Sequence, residues 1–392
     1  MLTQLHGETK IKTSQSSKTS LIVCRDTRPY ILKKRKMKSK LTTRTILCTM
    51  IAIMLSSCNG DVLLDEEPST EPNRVAIGFD NGYVDNAVST RAATYQLNEY
   101  AQTMGVWGWQ EDETAVECQI FKNHKVEYNG TKWAYSPLRY WDSGSCYTFY
   151  AYAPHVSAQK GNAATVSLNE STGMISISDV TLKGDNLHDM TPSTEQKKSF
   201  KTAANDVDWM VARTGQTAEG STHTTVAFTM QHVLAKLNVR VKTSNVLSTD
   251  ADIKEVTANS ISIGNMAAEG SFKQQHYATQ AATAVEQEWT TGDDKLTLSG
   301  STDFTVTTKW QYMLESLVIP QAIPNAEIKF VYSFVFTDGR TEYYTYRISL
   351  AEVFNTITHF VSGNSYTISF TIAPDVIKFD AGTSSWIDIY NI

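Results

Sequence analysis

Beyond residue 74 the apolar positions recur with a period of two, in short runs rich in β-branched and aromatic residues. RVAIGFD (74–80), MGVWGWQ (104–110), MISISDVTL (174–182), KLNVRVKT (236–243), SISIGN (260–265), EIKFVYSFVF (327–336), EYYTYRISL (342–350) and SYTISFTI (365–372) are examples. Clusters of Gly, Asn, Asp, Ser and Pro separate them, which predicts many short strands joined by turns. Asp338-Gly339 between two such runs predicts a hairpin. No comparable helical period is present. The pattern predicts an all-β protein of tandem antiparallel β-sandwich domains. GQTAEGST (215–222) is the best candidate boundary, giving domains over 74–220 and 221–392, each large enough for its own core. The polar stretches 183–205 and 277–300 are expected to be loops, the first with a helical turn.

The densest aromatic stretch is KWAYSPLRYWDSGSCYTFYAYAP (132–154), with eight aromatic residues from Trp133 to Tyr152. In a strand, Tyr147, Phe149 and Ala151 face one way and Thr148, Tyr150 and Tyr152 the other. Two aromatic faces predict a central strand covered on both sides. The competing use is an exposed platform for stacking sugars.

Residues 37–58 have another pattern. Lys38, Lys40 and Arg44 precede an apolar run from Ile46 to Leu55, then small residues and Cys58. This is the layout of a bacterial secretory signal. The thirteen residues from Thr45 to Ser57 are too few to span ~30 Å of hydrocarbon as a permanent helix. Leu55-Ser56-Ser57-Cys58 resembles the lipobox of bacterial lipoproteins, which implies lipidation at Cys58 and an anchor in the outer membrane. Residues 1–57 are thus expected to be a leader, with the signal over 37–57 and an over-extended start upstream. The acidic, proline-containing segment 58–73 reads as a tether. The leader holds 12 of the 35 Lys and Arg and two of the 41 acids, so the rest carries 23 basic and 39 acidic residues, a net charge of −16. That excess disfavours nucleic acid and anionic lipid headgroups as partners.

Five cysteines occur, none in a CxxC pair. With Cys58 lipidated and Cys24 and Cys48 in the leader, Cys118 and Cys146 remain, either as a disulfide or as two separate thiols. No GxSxG, HExxH or GxxxxGK[ST] motif is present. Asp206 and Asp208 alternate and could reach one cation, but their pattern is not that of an EF-hand, and turn capping is the simpler role. His232, in an apolar segment, reads as a satisfied core histidine. A pair of glycosidase carboxylates needs no local motif and stays open on this ground alone; the chain is read as non-enzymatic, with no catalytic residue, metal or cofactor.

The motif W-x-Y-S-P-x-R-Y-W-x-S-G-x-x-Y-x-F-Y-A-Y-A-P (133–154) resembles the fimbrillin-like proteins of type V pili in Gram-negative anaerobes. So do TRA (90–92), MGVWGW (104–109), DVDWMVAR (206–213), VAFTMQHVLAKLNVRV (226–241), LVIPQ (317–321), FVSGNSYTISFTI (360–372) and Trp386, in that order. The resemblance implies transthyretin-like sandwiches and a stalk, anchor or tip subunit of a cell-surface fimbrium. It implies cleavage at Arg91–Ala92 by an arginine-specific protease, loss of the RVAIGFD strand, and its replacement by a strand from another fimbrial subunit. A host or bacterial surface glycan or protein is the expected adhesion ligand. The alternative is a surface glycan-binding lipoprotein that does not polymerise, stacking sugars on Trp107, Trp109, Trp133 or Trp141.

Overall fold

The computed structural model describes residues 75–80, 82–84, 95–112, 117–158, 163–186, 206–217, 225–247, 252–275, 287–374 and 377–385. These residues are nearly all β. Four sheets account for the strands. The first has eight: β2 (Tyr95–Gln96), β1 (Tyr83–Val84), β10 (Thr229–His232), β9 (Met210–Thr217), β6 (Cys146–Ala153), β3 (Thr103–Glu111), β4 (Glu117–Tyr128) and β5 (Trp133–Ala134), in that spatial order. The second runs β14 (Gln287–Thr291), β13 (Glu269–Gln275), β8 (Met174–Thr181), β7 (Thr165–Asn169). The third runs β17 (Gln311–Val318), β11 (Ala235–Thr243), β20 (Asn364–Ile372), β21 (Ile377–Ser385). The fourth runs β15 (Lys295–Ser299), β12 (Ile253–Ala267), β18 (Glu327–Phe336), β19 (Thr341–Ser349), with β16 (Phe304–Thr305) also on β12. Pairing is antiparallel except β1 with β10 and β11 with β20. Two four-residue helices, α1 (Leu97–Tyr100) and α2 (Leu350–Val353), are the only α-helices among the described residues, and Ser349 and Glu352 form a capping box at α2.

Three cores hold the sheets together. The third and fourth sheets enclose one, built on Val239, Ile263, Phe330, Ile368 and Phe370. The eight-stranded sheet has a core on each face. Tyr147, Phe149 and Ala151 enter one with Met104, Val106 and Phe121. Tyr150 and Tyr152 enter the other with Trp107 and Trp209, against Ile175 and Ile177 of β8 and Phe272 of β13. β6 lies between β3 and β9 and is the doubly covered central strand its aromatic alternation predicts. The β18–β19 hairpin also forms as expected, with Gly339 at φ +90° and Asp338 Oδ1 accepting from the Arg340 amide at 2.9 Å.

The pairing crosses the expected boundary at 220/221. β10 closes onto β9 in the eight-stranded sheet, and β13–β14 join β8 in the second. β12 and β13 are separated only by Ala268, so one extended run passes from the fourth sheet into the second. A turn signal marks where a strand ends but not which sheet the next strand joins. The expected loop over 277–300 is corrected in part: β14 and β15 occupy 287–291 and 295–299, because Trp289, Leu296 and Leu298 each have a core to enter. Of the stretch 183–205, residues 187–205 lie outside the described residues.

Candidate assembly site

The first described segment, 75–80, crosses the aromatic face of the eight-stranded sheet. It is extended but makes only isolated bridges: Ala76 with Tyr140, and Phe79 with Trp133 and, in parallel, with Val226. The Ile77 amide donates to Arg139 O at 2.8 Å and the Trp141 amide to Val75 O at 3.0 Å. On the other side the Asp80 amide donates to Val226 O at 3.0 Å and the Val226 amide to Gly78 O at 2.8 Å. The Tyr135 hydroxyl donates to Ile77 O at 2.7 Å, and burial pushes its pKa up. The segment is thus a guest strand between 139–141 and Val226.

Its side chains alternate. Ile77 and Phe79 are buried, Ala76 is half-buried and Asp80 exposed on the opposite face, and Val75, on the same face as Ile77, is exposed at the start of the segment. The Phe79 ring lies 5.6 Å from Phe121, 5.5 Å from Tyr135, 6.3 Å from Phe149 and 6.1 Å from Phe228, edge-on to the first three and stacked on the last. Two glycines let the backbone approach. A Cβ on Gly78 would meet Thr225 Cγ2 at 3.1 Å, and one on Gly82 would stand 2.3 Å from Phe228 O. After Gly82, whose carbonyl accepts from the Leu97 amide at 2.7 Å, β1 pairs with β2.

Cys58, Arg91 and Ala92 lie outside the described residues. In sequence, the Arg91–Ala92 bond falls between β1 and β2, so a cut there leaves 75–80 and β1 on one fragment and β2 on the other. Cys118 and Cys146 do not pair with each other. Cys118 sits opposite Gln110 and Cys146 opposite Glu111, on the two sides of β3. Two strand spacings, about 9.6 Å, exceed the ~7 Å Cα separation a disulfide tolerates. Cys118 is exposed and forms no disulfide.

Asp206 and Asp208 do not converge on a cation. Asp206 accepts from the amides of Lys183 at 2.6 Å, Gly184 at 3.0 Å and Asp185 at 2.9 Å, so it caps a loop. Burial raises its pKa and those three bonds oppose the rise. Asp208 instead holds His232 Nδ1 at 2.8 Å. Among the described residues no group of three His, Cys, Asp or Glu could hold a metal ion. Trp107, Trp133 and Trp141 are buried and Trp109 half-buried, so they form no exposed line for stacking sugars. The sequence reading missed Tyr135, Phe228 and Gly82. Tyr135 and Phe228 lay inside runs already assigned to strands, and Gly82 lay two residues beyond the RVAIGFD run, in a stretch assigned to no element.

A family model described as fimbrillin-like matches residues 90–386. Among solved structures, a fimbrial protein from Bacteroides vulgatus is 18% identical, with 80% of this chain and 100% of that one covered and a TM-score of 0.51. A candidate cell adhesion protein from Bacteroides uniformis is 20% identical over 80% and 99% of the two chains, with a TM-score of 0.44. The tip fimbrial protein Mfa3 from Porphyromonas gingivalis is 9% identical over 80% and 99%, with a TM-score of 0.35. No curated protein matches the chain.

Proposed function

The chain belongs to the fimbrillin-like family, a family of fimbrial and cell adhesion proteins, and on that premise we propose that it is a subunit of a type V fimbrium, exported as an outer-membrane lipoprotein through Cys58 and assembled by donor-strand addition. The observation that carries this reading is the guest strand. Residues 75–80 bury two side chains in a finished aromatic core, yet they are held by isolated bridges rather than a continuous ladder. Cleavage at Arg91–Ala92 frees that strand and β1 together, and also separates the subunit from its lipid, since Cys58 lies on the same fragment. The slot left behind exposes Phe121, Phe149 and Phe228 and leaves Arg139 O and Val226 O without donors. A strand from another subunit restores both the apolar contacts and the hydrogen bonds.

Two experiments test this. Arginine-specific proteolysis of the purified chain should cut first at Arg91 and give SDS-resistant ladders, whereas Arg91→Ala stays monomeric. A soluble monomer after a clean cut sinks donor-strand polymerisation. Metabolic labelling with a clickable fatty acid should mark the wild type, and equal labelling of Cys58→Ala rejects lipidation at that thiol.

A further inference from the structure

On the outer face of the third sheet, Arg240 and Lys242 both lie over one indole. The Arg240 guanidinium carbon and the Lys242 ammonium nitrogen are each 4.5 Å from the centre of the Trp310 ring. Arg240 Nε donates to Ser369 Oγ at 2.8 Å. Neither cation forms an ion pair with a described residue. Cation–π contact positions a cation without neutralising it, so both charges are held in place with their outer donors unused. The sheet continues the patch. Lys242 is level with Thr371 and then Lys378 across β20 and β21, and Arg240 is level with Ser369 and then Asp380. Three cations and one carboxylate give this face +2 in a chain that carries −16 from residue 58 onward.

The patch lies at the pole of the third sheet that points away from the eight-stranded sheet. β11 begins beside Val233 and Leu234, and β17 ends at Val318 between Leu317 and Ile319; Val233, Leu234, Leu317 and Ile319 are all in the core shared with the eight-stranded sheet. Arg240, Lys242 and the start of β17 are at the opposite ends of those strands.

We propose that this pole is a binding site for the sulfate or carboxylate groups of an acidic polysaccharide. Arg240 supplies a planar fork matched to an oxyanion, and Lys242 and Lys378 supply point charges beside it. Half-buried Thr371, between Lys242 and Lys378, offers a hydroxyl that suits a polyhydroxylated chain, while the buried Ser369 hydroxyl serves to hold the Arg240 guanidinium in place. The site does not depend on strand exchange: it is on a different sheet from the guest strand.

The test uses the full chain purified in detergent and four immobilised polymers: dextran sulfate, polygalacturonate, neutral dextran and polyglutamate. The chain should bind one or both acidic polysaccharides, with sulfate and carboxylate told apart by which is held. Binding should weaken as salt rises and be absent on neutral dextran. R240Q/K242Q should bind about 30-fold more weakly with an unchanged melting temperature. If that double variant does not fold, Lys378→Gln, whose side chain is exposed, should weaken binding about threefold. Failure to hold either acidic polysaccharide, equal binding by the variants, or polyglutamate binding as tightly as the polysaccharides overturns the assignment, the last in favour of an acidic peptide.

Discussion

Phe79→Ala tests whether residues 75–80 are a detachable guest or an integral strand. The substitution removes a ring that touches Phe121, Tyr135, Phe149 and Phe228 at centroid distances of 5.5–6.3 Å. A buried Phe→Ala change costs about 3–5 kcal/mol. If the segment opens by itself, nearly all of that cost falls on the opening equilibrium and little on global unfolding. At about 1.4 kcal/mol per tenfold, exchange of the amides that open with it should accelerate by roughly 100- to 4,000-fold. Those amides are Ile77, Asp80 and Trp141, which donate to Arg139 O, Val226 O and Val75 O. Amides of Val239 and Ile368, in the core between the third and fourth sheets, are the control. Hydrogen exchange read by mass spectrometry or NMR separates the two sets. Unchanged exchange at Ile77 and Trp141 refutes the packing argument, and equal acceleration at Ile368 refutes local detachment.

Phe149→Ala, in the same core but on the central strand, should lower global stability by about 3–5 kcal/mol in a denaturant titration, with no local signature. Gly82→Ala places a Cβ 2.3 Å from Phe228 O and should cost about 1–3 kcal/mol, whereas Gly382→Ala, with nothing within 4 Å, should be near neutral; equal effects would contradict the close approach. His124 and His155 have pKa values lowered first by burial, so the unfolded chain takes up their protons before the folded one. The stability this gives is present above the unfolded value near 6.5 and is lost as pH falls below it. The melting temperature should therefore drop between about pH 7 and pH 5, and His155→Gln should flatten the drop. Asp206→Ala leaves three amides without an acceptor and should lower stability by about 2–4 kcal/mol, measured by the same titration.

What the sequence made legible was local. The aromatic alternation of YTFYAYAP identified a strand with two buried faces, because side-chain direction in a strand is set by the backbone alone. Asp338-Gly339 announced its hairpin because only certain residues favour the left-handed turn. The turn-capping role preferred for Asp206 also follows from local chemistry, a short acceptor near free amides. Partnership over long sequence distance was not legible. Nothing near Phe79 names Val226 or Trp133 as its neighbours, and nothing in SISIGNMAAEGSF says that the run leaves one sheet for another. The cation pair on Trp310 was equally hidden, since Arg240 and Trp310 meet only once β11 and β17 are paired.

The passage of β12 into β13 also sets a timetable. The aromatic face formed by Trp107, Tyr150, Tyr152 and Trp209 is covered by Phe272 and Trp289. A ribosome or translocon that delivers the chain N-terminus first therefore presents every strand of the eight-stranded sheet, through His232, with Ile175 and Ile177 of β8 on its second face, before Phe272 and Trp289 complete that cover. Closure waits until residue 291 of 392 has emerged. Contacts this distant in sequence form slowly, so the early product remains incompletely packed through most of synthesis. That delay makes an abrupt stop anywhere between His232 and Trp289 more damaging than one after β14.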